Sequence, residues 1–136
     1  MPLSYRLDPD EQIITTWGTG ELRLHEVLAH FRELAAERTL PERLDVLLDL
    51  AEVTTAPSSD HLKEVVGALD LPRVHWGACA IVATRDLLYG MLRMFEVFAE
   101  SKFESTRVFR DAEQARSWLR SERTRAMRGS GGGGDA

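Results

Sequence analysis

The stretch DVLLDLAEVTTAPSSDHL, residues 45–62, decides how the chain folds. Its first part, residues 45–50, is a run of apolar side chains flanked by aspartate. Such a run without polar alternation is typical of a strand that is buried on both faces, as in a parallel sheet. Ser58 and Ser59 follow Pro57 and precede a segment with apolar residues at helical spacing. The stretch therefore predicts a buried strand that passes into a helix at the two serines.

Outward from this junction, strand-like and helix-like segments alternate. LSYRLD and IITTWG, on either side of the turn PDEQ, predict a β-hairpin. The spacing of the apolar residues within 22–39 predicts an amphipathic helix. Pro72 is expected to end the helix that begins after the serines. HWGACAIVATRD and STRVFRD predict strands, and DLLYGMLRMFEVFAES and DAEQARSWLRSE predict helices. The order β-β-α-β-α-β-α-β-α predicts a single α/β domain over residues 1–120, with a mostly parallel sheet.

Composition fits one globular domain. The chain has 136 residues, of which 43% are hydrophobic and 29% charged, a balance that separates it from disordered proteins. The net charge of -5 gives no indication of a nucleic-acid-binding surface. The single cysteine, Cys79, lies in an apolar run and predicts a buried thiol without a disulfide partner. No apolar run approaches the ~20 residues of a membrane-spanning helix, and no signal sequence is recognisable, so we expect a cytoplasmic protein.

The C-terminal segment, residues 121–136, is predicted to lie outside the domain. RSERTRAMR, residues 120–128, carries four arginines against one glutamate. Such a run is typical of a solvated chain end, although it can also contact an acidic partner or a membrane surface. GSGGGGDA, residues 129–136, has few side chains able to pack and predicts a disordered tail.

The stretch around the serines resembles the signature of STAS domains, the fold of the anti-sigma-factor antagonists, D-L-x-x-V-x-x-x-D-S-S-G-L. Five positions match it without a gap, namely Asp49, Leu50, Val53, Ser58 and Ser59. Pro57 stands where the family has aspartate, Asp60 stands where it has glycine, and Leu62 comes one residue late.

A second region, residues 82–101 with residues 108–119, resembles small stand-alone bacterial proteins described as SpoIIAA-like. That group is also likened to CRAL-TRIO lipid-transfer domains, which have a similar sheet topology. The resemblance covers residues 3–119. It implies a STAS-like, SpoIIAA-like single domain with an N-terminal hairpin followed by alternating helices and strands.

Three interpretations of the serine pair follow. Ser58 and Ser59 can cap the helix, because a serine hydroxyl accepts a hydrogen bond from one of the first free N–H groups. The resemblance implies instead that a kinase phosphorylates Ser58 and thereby switches binding of a protein partner. A catalytic serine lacks support, because the adjacent His61 points away on a helix and no nucleophile motif is present. The histidines show no metal-ligand spacing, and we expect neither a metal nor another cofactor.

The third predicted helix, residues 86–101, is more apolar than a surface helix requires. An ordinary surface helix has an apolar arc of about 100°, and this one has two adjacent apolar stripes. The excess can be buried by a neighbouring helix in the core, meet a second subunit or another protein, or line a pocket for an acyl chain.

The sequence therefore predicts a non-enzymatic regulatory or protein-interaction module. Its expected partner is an anti-sigma-like or kinase-like protein, with a homodimer as a further option. The alternative is a carrier or sensor of a small, lipid-like apolar ligand between the sheet and the third helix. The candidate partner or ligand surface comprises Val53, Thr54, Thr55, Asp60, Leu88, Met91, Arg93, Met94, Phe95 and Phe98.

Overall fold

A computed structural model describes residues 3–8, 10–37, 40–71 and 74–132. Within these residues the elements follow the predicted order. The strands are β1 (Leu3–Asp8), β2 (Ile13–Gly20), β3 (Arg43–Val53), β4 (His75–Val82) and β5 (Ser105–Phe109). The helices are α1 (Leu24–Ala35), α2 (Ser59–Ala68), α3 (Asp86–Phe98) and α4 (Ala112–Gly132). Pro72, the predicted end of the second helix, lies outside the described residues.

The strands form one sheet whose spatial order follows the chain order, β1-β2-β3-β4-β5. β1 and β2 pair antiparallel, which confirms the predicted hairpin. The pairs β2–β3, β3–β4 and β4–β5 are parallel. The described chain is therefore an α/β domain with a mostly parallel sheet, and the carboxyl ends of four strands lie at one edge.

β3 is buried from both sides, as its apolar run predicts. On one face, Leu44, Val46 and Leu50 belong to a core that includes the inward side chains of α1, α2 and α3. On the other face, Leu47 packs in a second core with α4, formed by Ala78, Ala80, Val82, Ala115 and Leu119. The small side chains of β4 allow α4 to pack closely on this second face.

α4 extends beyond residue 120, where the predicted domain ends. The helix continues to Gly132, and the basic segment of residues 121–128 is helical. Arg123 anchors it, because its guanidinium donates to the carbonyl groups of Glu11 at 2.5 Å and Asp10 at 3.2 Å. Arginine, alanine and methionine also have high helix propensity. Residues 133–136, the end of the predicted disordered tail, lie outside the described residues.

None of the helices in the described part of the chain combines the length and the hydropathy needed to cross a membrane.

A buried carboxylate organises the amino-terminal edge of the sheet. The register of β3 and β4 shifts between Leu44 and Val46. At this irregularity, Asp45 Oδ1 accepts a hydrogen bond from the Ala78 N–H at 2.8 Å. The same oxygen lies 2.8 Å from Arg43 Nη1. Asp45 therefore satisfies a backbone donor that the shifted strands leave unpaired.

Arg43 extends this network to the loop before β5. Its guanidinium makes two hydrogen bonds of 3.1 Å to the carboxylate of Glu104. His75 Nε2 lies 2.9 Å from the same carboxylate. The Arg43 hydrogen bonds, together with His75, hold the pKa of Glu104 below its ordinary value.

We expect Gly77→Ala to lower the free energy of unfolding by about 2 kcal/mol, because the added methyl group would overlap the Asp45 carboxylate and the Arg43 guanidinium. The carboxylate is held in place by Ala78 and cannot withdraw without losing its hydrogen bond. Gly90→Ala in α3 is the matched control, because nothing lies within 4 Å of its added methyl group. The control should raise stability by about 0.5–1 kcal/mol. Urea unfolding measures both, and an equal effect of the two variants would contradict the packing argument.

Candidate functional site

β3 ends at the carboxyl edge of the sheet, where a short loop connects it to α2. Ser58 is the N-cap residue of α2, with extended backbone angles φ -81° and ψ 166°. Its Oγ accepts a hydrogen bond from the His61 N–H at 3.2 Å. Ser59 is the first residue of the helix and makes no capping bond. The Ser58 side chain is exposed, and Ser59 is half-buried. Of the two serines predicted to cap the helix, Ser58 makes the capping hydrogen bond.

The loop between β3 and α2 is fixed to the start of α1. The Thr55 hydroxyl accepts a hydrogen bond from the Leu22 N–H at 3.0 Å and donates to the Leu22 carbonyl at 3.3 Å. The Thr54 N–H donates to the Gly20 carbonyl at 2.8 Å. Thr54 and Asp60 are exposed. The loop is thus tied to the α1 side of the molecule, while Thr54 in the loop and Asp60 in the first turn of α2 are open to solvent.

The second loop at this edge joins β4 to α3. Arg110, which follows β5 directly, holds this loop in place. Arg110 Nη1 donates to Asp86 Oδ1 at 2.8 Å and to the Thr84 carbonyl at 2.9 Å. Its guanidinium also lies over the Tyr89 ring, 4.1 Å from the ring centre. The Thr84 hydroxyl donates to the Ala51 carbonyl at 3.1 Å. These contacts connect the loops that follow β4 and β5 to the carboxyl end of β3.

An apolar cavity of about 380 Å³ lies between the sheet and helices α1, α2 and α3. Its wall is almost entirely aliphatic and aromatic. The strands contribute Ile14, Val46 and Leu50, and the helices contribute Val27, Phe31, Leu62, Val65, Leu88, Leu92 and Phe95. Three lining residues are exposed, Glu21, Arg23 and His61, so they mark the mouth. The cavity therefore opens where α1 and α2 begin, beside Ser58.

The cavity exists because α1 and α2 do not press all their apolar side chains against the sheet. α1 fully buries only His30 and Leu34, and α2 fully buries only Leu62. Other apolar side chains of these helices, such as Phe31 and Val65, are half-buried and face the cavity. Space of this size matches the lower part of the range for small-molecule sites, about 300–1,000 Å³.

Two polar side chains, Thr16 and His30, lie in the buried part of the cavity wall. Thr16 is 1% exposed and His30 is 8% exposed. Thr16 Oγ1 and His30 Nε2 are 3.3 Å apart. Burial lowers the pKa of His30, although the charge of Glu33 opposes the effect, so the imidazole is neutral at physiological pH. The cavity wall therefore contains one uncharged hydrogen-bonding pair.

Cys79 also lines the cavity and is fully enclosed. Burial, with the charge of Asp45, raises the pKa of its thiol well above the ordinary value. A thiol in this state is a poor nucleophile. Among the residues that the structure describes, no three His, Cys, Asp or Glu side chains converge as a metal site.

The structure separates the predicted surface residues into two groups. Val53, Leu88 and Phe95 are buried and line the cavity, so they are inaccessible to a protein partner. In the predicted partner or ligand surface, these three residues are therefore placed to contact a ligand in the cavity. Thr55 lies at the cavity wall.

The remaining predicted residues of α3 lie outside the cavity wall. Met91 and Phe98 are half-buried against the core, and Lys63 Nζ lies 5.5 Å from the centre of the Phe98 ring. Arg93 is exposed, with Nε 3.9 Å from Glu96 Oε2. Met94 is 40% exposed. With Leu87 and Val97, which are 72% and 67% exposed, Met94 forms an apolar strip on the surface.

The sequence interpretation did not identify Thr16 and His30 as site residues. Thr16 interrupts the apolar alternation of β2, and His30 lies on the apolar stripe of α1 between Val27 and Leu34. Polar residues at core positions of two neighbouring elements are the signal that could have indicated them.

No family model and no curated protein matches this chain.

We expect Ser58→Ala to lower the free energy of unfolding by about 1 kcal/mol, because it removes the acceptor for the His61 N–H. Ser58→Asp should retain stability, because aspartate is an equally good N-cap. Ser59→Ala is the matched control and should change stability by less than about 0.5 kcal/mol. Urea unfolding followed by circular dichroism measures the three variants. An effect of Ser59→Ala as large as that of Ser58→Ala would contradict the assignment of the cap.

Proposed function

We propose that this protein is a non-enzymatic binding module that acts in the cytoplasm and holds a small apolar ligand between its sheet and helices α1, α2 and α3. The cavity of about 380 Å³ carries this proposal. Its wall is apolar, and its mouth lies at the carboxyl edge of the sheet, where ligands bind in open α/β sheets. The proposed site differs from the one expected from the sequence, because α1 and α2 line it as well as α3.

The volume of the cavity indicates the size of its ligand. An apolar cavity of roughly 150 Å³ binds benzene. By proportion, the cavity of about 380 Å³ accommodates roughly 15 carbon atoms. A medium-length acyl or alkyl chain, or a small terpenoid or aromatic molecule, fits this estimate.

Energetics also favour an occupied cavity. Empty core volume lowers stability by about 24 cal/mol per Å³. A ligand that fills the space recovers contacts that the lining side chains otherwise lack.

Val65→Trp should weaken binding of a ten-carbon probe, n-decanol, by roughly tenfold, because the larger side chain occupies part of the cavity. Val97→Trp is the matched control, since Val97 is 67% exposed on α3 and should leave affinity unchanged. Trp76 lines the cavity and serves as a fluorescent reporter when the other tryptophans, Trp17 and Trp118, are replaced by phenylalanine.

The cavity-filling variant needs its own reporter, because Val65→Trp adds a tryptophan. The shift of the thermal unfolding midpoint on addition of decanol supplies this second readout in the variants and in the parent chain, because a ligand that binds only the folded state raises that midpoint. Absence of decanol binding to the parent chain, or an equal midpoint shift in Val65→Trp and the parent chain, would contradict the proposed function.

A second candidate function is a protein-interaction module of the STAS-like, SpoIIAA-like type, switched by phosphorylation of Ser58. The observation that favours it is the exposed Ser58 hydroxyl at the N-terminus of α2, beside the exposed Asp60. The apolar strip of Leu87, Met94 and Val97 offers a surface for a partner of the anti-sigma or kinase class, or for a second copy. The residue matches at positions 49–59 support family membership as part of this proposal.

A phosphate on Ser58 would add a charge of about -1.5 to -2 beside Asp60. The N-terminus of α2 can accommodate it, because free N–H groups and the helix dipole favour an anion there. Its charge would repel an acidic partner surface and attract a basic one.

The second candidate predicts a phosphorylated fraction of this protein when it is purified from its own host. Intact-mass and peptide mass spectrometry should locate the phosphate on Ser58, and Ser58→Ala should abolish it. Phosphate that persists in Ser58→Ala, or a chain that stays unmodified under all growth conditions, contradicts the switch.

A further inference from the structure

The buried wall of the cavity contains a polar pair that an aliphatic ligand alone does not require. Thr16 on β2 and His30 on α1 are both buried, whereas the lining side chains Glu21, Arg23 and His61 are exposed at the mouth. Thr55, also in the lining, is half-buried and its hydroxyl is bonded to Leu22. Burying a hydroxyl and an imidazole costs free energy unless both are hydrogen bonded. Their position inside a binding cavity therefore needs a reason.

The bond between the two side chains is long and leaves hydrogen-bonding capacity unused. Thr16 Oγ1 and His30 Nε2 are separated by 3.3 Å, beyond the usual range for such a bond. A threonine hydroxyl offers one donor and two lone pairs, and a neutral imidazole offers one donor and one acceptor. Their mutual bond engages one donor and one acceptor, so an oxygen atom of a ligand can still bond to the pair.

Aromatic rings hold the imidazole in place. The His30 ring lies edge-on to Tyr5 at 5.3 Å and is tilted against Phe31 at 5.4 Å. Tyr5 is fixed in turn, because its hydroxyl donates to Glu37 Oε1 at 2.6 Å. An orienting polar group on a rigid apolar wall is the arrangement by which small-molecule sites select a ligand orientation.

The pair is suited to an uncharged group. His30 is neutral because burial lowers its pKa, and Thr16 carries no charge. The formal charges among the lining residues belong to Glu21 and Arg23, which lie at the mouth with Oε1 and Nε 3.5 Å apart. A carboxylate or phosphate headgroup would be drawn to the mouth and would leave the pair unused.

We propose that the ligand is an apolar molecule with one uncharged oxygen function, a hydroxyl or carbonyl group, which enters first and hydrogen bonds to Thr16 and His30. This inference rests on the proposed apolar-ligand function and specifies the chemical class of that ligand. The selectivity-determining residue is Thr16, and His30 orients and completes the hydrogen-bonding pair.

The test compares n-decane, n-decanol and decanoate at neutral pH, with Trp76 fluorescence as the reporter in the background that lacks the other two tryptophans. The chain with an unsubstituted cavity wall should bind decanol up to about tenfold more tightly than decane. This factor corresponds to the free energy of one buried hydrogen bond. Thr16→Val keeps the shape of the side chain. It should abolish the preference for decanol without weakening the binding of decane. Thr16→Ser should retain the preference, and His30→Phe should reduce it.

Thr15→Val is the matched control, because Thr15 is the neighbouring residue of β2 and lies outside the cavity wall. It should leave the preference for decanol unchanged. A preference for decanol that survives Thr16→Val would overturn the inference, as would tighter binding of decanoate than of decanol. Equal affinity for decane and decanol in the chain with an unsubstituted cavity wall contradicts this inference but not the proposed function. Failure of both to bind overturns the proposed function and this inference together.

Discussion

β3 passes between two apolar layers, and its burial on both faces constrains everything around it. Leu44, Val46 and Leu50 face α1, α2 and α3, whereas Leu47 faces α4. Because β2 and β4 occupy both of its edges, the strand is enclosed in every direction except along its axis. The chain can therefore leave β3 only at the carboxyl edge of the sheet. The Ser58 junction and the mouth of the cavity are both located there as a result.

The two layers differ in how closely their helices approach the sheet. On the α4 side, Ala78 and Ala80 leave room for Ala115 and Leu119 to pack directly against the strands. On the other side, the strands present larger aliphatic side chains, and α1 and α2 keep a number of their apolar residues only half-buried. The cavity is therefore confined to one layer.

Features encoded within single segments could be predicted from the sequence. The element order, the hairpin and the start of α2 at Ser58 each depend on a local pattern of apolar, turn and capping residues. The extension of α4 could not be predicted in this way, because Arg123 is anchored to Glu11, more than a hundred positions away in sequence. A charge count alone describes residues 121–128 as a solvated end, whereas the fold provides carbonyl groups for one of its arginines.

The cavity was only partly accessible to sequence reasoning for a related reason. The excess apolar arc of α3 indicated a pocket or a partner, but a periodic pattern does not show which apolar side chains meet the sheet and which leave space. Leu88 and Phe95 faced inward, whereas Met94 remained on the surface. Thr16 and His30 are each a polar residue at a core position of its own element, but only the packing of α1 over β2 brings them together.

The proposed ligand site and the Ser58 junction share one structural element, and this links the two candidate functions. Ala56 and Pro57 line the cavity, and Ser58 follows them directly. Thr55 ties the same loop to Leu22 on the opposite side of the mouth. A partner or a phosphate at Ser58 therefore acts on the rim through which a ligand passes. If a ligand alters the affinity of this surface for a partner, the partner must alter the affinity for the ligand by the same factor, because binding free energies are reciprocal. Thus an apolar-ligand site and an interaction surface need not be competing descriptions of this domain, since one loop can couple them.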